Sequence, residues 1–252
     1  MNPNNPTQQF ELERAQRIEK LGQDQAFQAQ SRDWLEQSMR RQYVYNFSWM
    51  GRPIIQNPID MIAMQELLWQ VQPDLVIETG IAHGGSIIFS ASMLELIAAC
   101  GGNPDAKVIG IDIDIRDHNR QAILQHPMSR RITMLQGSSV AEDVVAQVKK
   151  MAEGKQKIMV FLDSNHTHEH VLAELNAYAP LVTKDSYCVV FDTFVEDVPA
   201  DVFDDRPWHP GNSPKSAVHA YLQSHPEWMI DRAMQYKLQI TVAPDGFLKR
   251  IG

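Results

Sequence analysis

Two carboxylates and a histidine in the second half of the chain could hold a hard metal ion. Asp163 directly follows the apolar run Ile158–Leu162, and Asp192 directly follows residues 186–191. If both runs are neighbouring parallel strands, the carboxylates meet at one sheet edge and suit Mg²⁺. No cysteine joins them, which disfavours a soft metal. His166 is a candidate proton acceptor, because an unperturbed imidazole titrates near neutral pH.

The histidines of this stretch leave another interpretation open. His166 and His170 fall on one face if a helix begins early, and such a pair could bind zinc or iron. However, no glutamate follows His166 in the order that metalloproteases use. We therefore expect His170 to pack on the sheet and His166 to remain free.

A glycine-rich turn could bind a nucleotide-linked cofactor. It follows the apolar run 75–77 and contains Glu78, Gly80, Ala82, His83, Gly84 and Ser86. Glycine lets the backbone approach a ligand closely, and a helix that begins here presents free amide groups. The glycine spacing departs from the dinucleotide fingerprint, which favours a cofactor other than NAD. Any tight strand-to-helix turn also needs glycine.

Two more predicted strand ends carry suitable groups. Asp112 follows the run 108–111, where a carboxylate can accept two hydrogen bonds from a ribose diol. Ser138 and Ser139 follow the run 132–135 and can approach an adenine edge. They could equally cap the helix that we predict from Val140.

Apolar runs and helical patterns alternate through the middle of the chain, which predicts a doubly wound, mostly parallel α/β sheet. Strands are predicted at 75–77, 108–111, 132–135, 158–162 and 186–191, and helices at 58–71, 86–99, 118–124, 140–151, 168–178 and 213–225. Residues 238–242 and 247–250 predict a C-terminal β-hairpin, since Pro244, Asp245 and Gly246 form a turn sequence.

The N-terminal 45 residues are polar and predict a helical arm, which could be a lid, an oligomer contact or a frayed terminus. Residues 46–252 are the predicted catalytic domain. Between them, residues 43–60 combine aromatic and turn-forming residues, so this structured loop could wall a pocket or anchor the arm.

The formal net charge of −8 disfavours a nucleic-acid partner, because phosphate binding depends on clustered Lys and Arg. A small or neutral substrate fits better. The chain has no apolar run long enough to cross a bilayer and no signal-peptide pattern, so we expect no membrane partner and a cytoplasmic location. Cys100 and Cys188 are widely separated, without metal-ligand or disulfide spacing.

Six segments together resemble the cephalosporin hydroxylase family. They are VIETGIAHGGS, VIGIDID, FLDSNHTHEHVLAEL, YCVVFDT, RPWHPGNSPKSAVHAYL and ITVAPDGFLKR, in this order. The family is built on an S-adenosylmethionine (SAM)-dependent methyltransferase fold and includes sugar O-methyltransferases of the rhamnosyl and macrolide type. The resemblance extends from about Tyr43 to the C-terminus.

This resemblance implies a SAM-dependent O-methyltransferase, assisted by Mg²⁺, that acts on a hydroxyl of a sugar or glycosylated small molecule. It implies these contacts: methionine and ribose at Glu78 and Gly80, ribose hydroxyls at Asp112, adenine at Ser138 or Ser139, Mg²⁺ at Asp163 and Asp192, and the general base at His166. The family commonly has an acidic pair where this chain has Phe191 and Asp192. Glu196 or Asp197 could supply the missing ligand.

Two other functions remain open at this point. An oxidative hydroxylase could use iron at the same cluster, and a partner subunit could bind SAM without catalysis. Arg206, Trp208 and His209 lie in a Pro- and Gly-rich loop that could contact the acceptor or simply pack on the core. We also expect a homo-oligomer.

Overall fold

A seven-stranded sheet forms the centre of the computed structural model, which describes residues 5–252. The strands are β1 (Phe47–Trp49), β2 (Arg52–Ile54), β3 (Leu75–Thr79), β4 (Lys107–Asp112), β5 (Ile132–Gln136), β6 (Ile158–Leu162), β7 (Tyr187–Val190), β8 (Trp228–Ile230) and β9 (Phe247–Arg250). The first two pair with each other in a separate antiparallel ribbon.

Nine α-helices accompany these strands in the part of the chain that is described. They are α1 (Pro6–Gln23), α2 (Gln25–Arg40), α3 (Pro58–Val71), α4 (Gly85–Ala99), α5 (Asp117–Leu124), α6 (Glu142–Ala152), α7 (His168–Tyr178), α8 (Pro214–Leu222) and α9 (Arg232–Leu238). Short 3-10 turns include Tyr43–Asn46, Thr193–Asp197 and Ala200–Phe203.

The order of the central sheet is β5-β4-β3-β6-β7-β9-β8. Strands β3 to β7 are parallel, and β3 lies between β4 and β6. After β3 the chain adds strands on one side, then returns through β6 to add strands on the other. The carboxyl ends of β3 and β6 therefore flank the switch point, where ligands bind in such sheets.

Helices cover both faces of the sheet, because successive strand residues point in opposite directions. On β3, Val76 belongs to the apolar layer that contains Leu67 of α3 and Leu94 of α4. Ile77 belongs to the opposite layer with Val148 of α6 and Leu175 of α7, among others. The predicted doubly wound α/β fold is confirmed.

The antiparallel C-terminal part of the sheet differs from the predicted hairpin in its first strand. Strand β9 pairs with β7 and with β8, and the whole of α9 separates β8 from β9. The prediction of a strand at 238–242 was wrong. Leu238 ends α9, Gln239 has a φ of 60°, and the Val242 amide donates to Asp60 Oδ2 at 2.9 Å.

The N-terminal arm consists mainly of the helices α1 and α2. Residues 1–4 of the arm lie outside the described part of the chain. Helix α1 has no buried side chain, whereas α2 buries Leu35 and pairs Arg40 with Asp201 at 3.0 Å. The role of this arm and the oligomeric state stay predictions. Within residues 5–252, no helix is long and apolar enough to span a membrane.

Candidate active site

A cleft of about 450 Å³ opens at the carboxyl edge of the sheet, at the switch point between β3 and β6. Its floor contains the glycine-rich turn after β3 and the residues that follow β6 and β7. Its outer walls come from the segments 39–45, 53–57 and 202–208. The cleft therefore collects groups from parts of the chain that are far apart in sequence.

Asp163, His166 and Asp192 converge at the bottom of this cleft. One potential ligand atom from each lies within 4.8 Å of the others, so a single small cation could contact all three. His166 Nε2 lies 3.1 Å from Asp192 Oδ2. The Asp192 backbone has a φ of 54°, in the left-handed region that few non-glycine residues adopt. Such strain is often retained at functional sites.

The surroundings of the two carboxylates in this cluster disfavour their ionised forms. Burial raises the pKa of Asp163 well above its usual value, and the nearby charges of Asp192 and Glu78 raise it further. Burial also raises the pKa of Asp192, while the His166 imidazole lowers it. A bound cation would favour the ionised form of both acids. The donor set of two carboxylates and an imidazole thus fits a divalent cation.

Gln56 completes the surroundings of Asp163, and the sequence analysis missed it. Its Nε2 donates to Asp163 Oδ2 at 2.8 Å, and the Gln56 side chain is almost fully buried. The next residue, Asn57, caps α3 through Oδ1, which accepts from the Ile59 amide at 3.0 Å. A glutamine in a turn carries no local signal that would connect it with an acid 107 residues later.

The glycine-rich turn is fitted closely against the end of β6. Gly80 has a φ of 90°, and a Cβ there would lie 2.1 Å from the Asp163 carbonyl oxygen. The amides of Ile81 and Ala82 donate to Asp112 Oδ2 at 2.8 and 3.0 Å. Asp112 Oδ1 accepts from the Asp114 amide at 3.0 Å. Asp112 therefore organises the turn and also lines the cleft.

Most of the predicted site residues line the cleft, namely Gly80, Ala82, His83, Ser86, Asp112, Asp163, His166 and Asp192. Four others lie outside the cleft wall: Glu78, Gly84, Ser138 and Ser139.

Glu78 lies behind the cleft wall, beside a small cavity that Phe161 and Phe191 also line. Its side chain is almost fully buried, and Oε1 has no hydrogen-bond partner among the described residues. Burial raises the pKa of Glu78 to about 7, although Ser86 and Ser90 donate to its carboxylate and lower it. Phe191 contributes an apolar surface here.

Ser139 takes part in a polar network that links the loops after β5 and β6. Its Oγ lies 3.0 Å from His170 Nε2, which lies 3.2 Å from Ser164 Oγ. Ser164 Oγ also donates to Glu174 Oε1 at 2.7 Å. Glu174 is completely buried. The network ties the residue next to Asp163 to the predicted adenine loop.

The other histidines and acids that the sequence offered as metal ligands lie away from the cluster of Asp163, His166 and Asp192. His170 belongs to the network with Ser139, and His168 Nδ1 lies 2.8 Å from Ser216 Oγ. The proposed substitutes for a third ligand were wrong: Glu196 accepts from Ser213 Oγ at 2.5 Å, and Asp197 pairs with Lys215. Among the described residues, the third group beside Asp163 and Asp192 is His166. Among residues 5–252, no two histidines and one carboxylate come close enough together to form a metal site.

The loop before α8 places Trp208 against His166. Their ring centroids are 4.7 Å apart in an edge-to-face arrangement, and the Arg206 guanidinium lies 5.5 Å from the Trp208 ring. Both Arg206 and Trp208 line the cleft. His209 instead contacts its neighbour, since Nδ1 lies 2.8 Å from the Pro210 carbonyl oxygen.

Comparison with known proteins identifies the family. The profile of the rhamnosyl O-methyltransferase/CmcI family matches residues 41–251. The chain belongs to this family. The rhamnosyl O-methyltransferase of Mycobacterium leprae is 32% identical over 227 residues, covering 86% of this chain and 91% of that protein. The corresponding protein of Mycobacterium bovis is 31% identical over 228 residues, covering 86% of each.

Solved structures of the rhamnosyl O-methyltransferase/CmcI family and of other methyltransferases share the fold. CmcI-D160 with Mg and SAM has a TM-score of 0.53 at 17% identity, covering 82% of this chain and 78% of that chain. The O-methyltransferase TomG from Streptomyces achromogenes, in complex with SAM, has a TM-score of 0.54 at 13% identity, with coverages of 88% and 90%.

Membership of the rhamnosyl O-methyltransferase/CmcI family confirms the resemblance drawn from the sequence motifs. It also confirms the expected class of enzyme, a SAM-dependent O-methyltransferase.

Proposed function

We propose that this enzyme transfers the methyl group of SAM to a hydroxyl of a carbohydrate acceptor and uses Mg²⁺ bound by Asp163 and Asp192. One observation carries the proposal: Asp163, His166 and Asp192 converge beside the glycine-rich turn, in a cleft at the switch point. This arrangement brings a possible cation site and a possible proton acceptor to the edge where a nucleotide cofactor would bind.

The glycine-rich turn is the proposed binding site for SAM. Gly80 lets the backbone come close to a ligand, and Asp112 offers a carboxylate to the ribose hydroxyls while it fixes the turn. Ala82, His83 and Ser86 line the same part of the cleft. Ser139 would act through the loop it anchors, because its hydroxyl faces His170. Glu78 would support the methionine moiety of SAM from behind the cleft wall.

Asp163 and Asp192 are the proposed ligands of Mg²⁺, which prefers oxygen donors and retains several waters. When bound, Mg²⁺ would supply positive charge that lowers the pKa of an acceptor hydroxyl. Gln56 holds Asp163 in place through its hydrogen bond to Oδ2. Such outer partners orient metal-binding carboxylates.

His166 is the proposed general base for the acceptor hydroxyl. If its Nε2–H donates to Asp192 Oδ2, its Nδ1 carries the lone pair that accepts the proton. Trp208 packs edge-on against the imidazole and would restrict its orientation. Asp192 would thereby bind the cation and also accept the hydrogen bond that orients His166.

The outer walls of the cleft would bind the acceptor. Trp208 and Tyr45 are aromatic groups that suit the apolar face of a sugar ring, and Arg206 and Gln42 can donate to its hydroxyls. Met39 and Val44 extend this wall. The end of α2 and the turn that follows would then act as one side of a lid, as the sequence suggested for the arm.

The test combines SAM binding with a metal-dependent transfer assay. Calorimetry should detect SAM binding to the full chain, and radiolabelled SAM should label a rhamnoside or a related glycoside. EDTA should abolish transfer and Mg²⁺ should restore it. Asp192→Asn should lose the response to Mg²⁺, whereas the exposed Asp114→Asn is the matched control. Full activity in EDTA would refute the metal assignment, and a lack of sugar labelling would refute the acceptor class.

A further inference from the structure

The glycine-rich turn after β3 contains one strained residue that is not a glycine. Ala82 has a φ of 46°, in the left-handed region that favours glycine. Such a backbone persists where the surrounding groups hold it in place. The amides of Ile81 and Ala82 donate to Asp112 Oδ2, which fixes the amide side of this residue. The carbonyl side is fixed by Arg52 and Asn119, which have no role in the proposed methyl transfer.

Arg52 and Asn119 bind two successive carbonyl groups of the turn. Asn119 Nδ2 donates to the Ala82 carbonyl oxygen at 3.0 Å. Arg52 donates to the His83 carbonyl oxygen through Nε at 3.0 Å and through Nη2 at 2.7 Å. Arg52 Nη2 also donates to Asn119 Oδ1 at 2.9 Å. The two side chains therefore form one connected group, which we call the Arg52–Asn119 clamp.

The Arg52–Asn119 clamp lies outside the wall of the cleft. Arg52 of β2 is half-buried and Asn119 of α5 is buried. Neither side chain lines the cleft, whereas Ala82 and His83 do. The planar guanidinium presents its donors in a fixed fork, so it restrains the direction of a carbonyl group better than an ammonium group could. The clamp can therefore affect a cofactor only through the turn.

The ribbon of β1 and β2 holds Arg52 itself in place. Trp49 Nε1 donates to Ser92 Oγ of α4 at 2.9 Å. Gly85, the first residue of α4, packs so closely on the ribbon that a Cβ there would collide with the Pro53 carbonyl oxygen. A side chain that orients its neighbours needs a rigid support of this kind. Arg52 therefore acts on the turn from a fixed position.

The clamp leaves backbone donors, rather than acceptors, available to a ligand in this part of the cleft. The two carbonyl groups of the turn are occupied by the clamp. Gly84 is the N-cap of α4 and has no side chain that could satisfy the first amides of the helix. Gly85 and Ser86, which follow it, line the cleft. Free amides at a helix N-terminus suit an anionic group, and SAM carries a carboxylate.

We propose that Arg52 is a positioning residue for SAM, which acts with Asn119 by holding the turn in the strained conformation that the cofactor binds. The proposal rests on the assignment of this turn as the SAM-binding site under the proposed function. It adds the ribbon of β1 and β2 to the elements that determine the affinity for the cofactor.

Calorimetry with SAM on the full chain tests the proposal. Arg52→Met keeps a long side chain without donors, and it should weaken SAM binding by about tenfold or more. Arg52→Lys keeps the charge but loses the fork, so its affinity should lie between those of Arg52→Met and the wild type. Arg17→Met, at an exposed arginine of α1, is the matched control and should leave SAM affinity unchanged.

Steady-state kinetics separates positioning from a merely structural contact. In Arg52→Met the KM for SAM should rise by about tenfold, while turnover at saturating SAM and the KM for a glycoside acceptor should stay within about threefold of the wild-type values. Urea unfolding reports the stability of each variant separately. A structural contact would lower the free energy of unfolding and leave the SAM affinity of the folded protein unchanged, and that result would overturn the proposal.

A double-mutant cycle tests whether the clamp acts as one unit. Asn119→Ala should also weaken SAM binding, and adding it to Arg52→Met should weaken binding by no more than about a further threefold, because the first change already releases the turn. Fully additive losses would contradict the clamp. If the wild type does not bind SAM, the proposed function fails together with this proposal. If the wild type and Arg52→Met bind SAM equally well, only this proposal fails.

Discussion

Gln56 Nε2 lies 2.8 Å from Asp163 Oδ2, and this hydrogen bond joins the turn before α3 to the end of β6. It lowers the pKa of an acid that burial and neighbouring carboxylates raise. A neutral amide thus helps to keep Asp163 ionised and correctly oriented.

Gln56→Ala should weaken the response to Mg²⁺ by about 10- to 100-fold, the range typical of outer partners of metal ligands. The loss follows because Asp163 would be protonated more readily. Transfer activity titrated with Mg²⁺ measures the change, and Gln125→Ala on the protein surface is the control. An unchanged midpoint would show that Gln56 has a merely structural contact with Asp163.

His166→Ala should lower turnover by about 10²- to 10⁴-fold, as expected when a general base is removed, with SAM affinity retained. Affinity for Mn²⁺, measured by paramagnetic resonance, separates the base from a third metal ligand. If His166 is the general base, the variant should bind Mn²⁺ with nearly unchanged affinity. If His166 is a metal ligand, the affinity for Mn²⁺ should fall markedly. The exposed His118→Ala serves as the control.

Gly80→Ala should destabilise the protein by roughly 3 kcal/mol or more, because its Cβ would collide with the backbone of Asp163. Gly154→Ala is the matched control, since it shares a positive φ but meets no atom within 4 Å. That variant should cost about 1–2 kcal/mol from the backbone alone. Urea unfolding compares the two, and equal losses would contradict the close fit of the turn.

Glu78 should make the stability of the metal-free protein depend on pH. Its pKa rises from 4.5 in the unfolded chain to about 7 in the fold, so its stabilisation is complete below about 4.5 and disappears as the pH rises through 7. Relative to Glu78→Gln, the wild type should lose about 3 kcal/mol of unfolding free energy between pH 5 and 8. Unfolding in EDTA measures this, with the exposed Glu153→Gln as control. Parallel pH profiles would contradict the shifted pKa.

Trp208→Ala should raise the KM for a glycoside acceptor by about tenfold, because an aromatic platform contributes about 1 kcal/mol or more. SAM affinity should stay unchanged, since Trp208 belongs to the outer wall. Steady-state kinetics with each substrate varied in turn separates the two effects. Trp69→Ala, at a residue of α3 that is 49% exposed, controls for the loss of a tryptophan.

The strands of the parallel sheet were predictable because each contains a short apolar run that is followed closely by a polar residue. Asp112, Asp163 and Asp192 mark the edge where the site forms, and a parallel sheet necessarily gathers such ends. The convergence of Asp163 and Asp192 could therefore be predicted without coordinates.

The wrong strand at 238–242 and the missed residue Gln56 have the same physical cause. In both cases the structure depends on contact with a segment that is distant in the sequence. Residues 238–242 alternate like a strand, but Asp60 of α3 accepts the hydrogen bonds of Thr241 and Val242. Gln56 likewise gains its role from Asp163, far along the chain. Neither partner leaves a mark in local spacing or composition.

The division of the cleft between strand ends and outer loops has an evolutionary consequence. The acids lie on the rigid sheet edge, whereas Tyr45, Arg206 and Trp208 lie on connecting segments that tolerate substitution. Under the proposed function, acceptor preference would depend on these two surface segments, whereas the floor of the cleft would carry the methyl transfer. A directed-evolution library confined to 39–45 and 202–208 would explore new glycosides and leave the inherited chemistry intact.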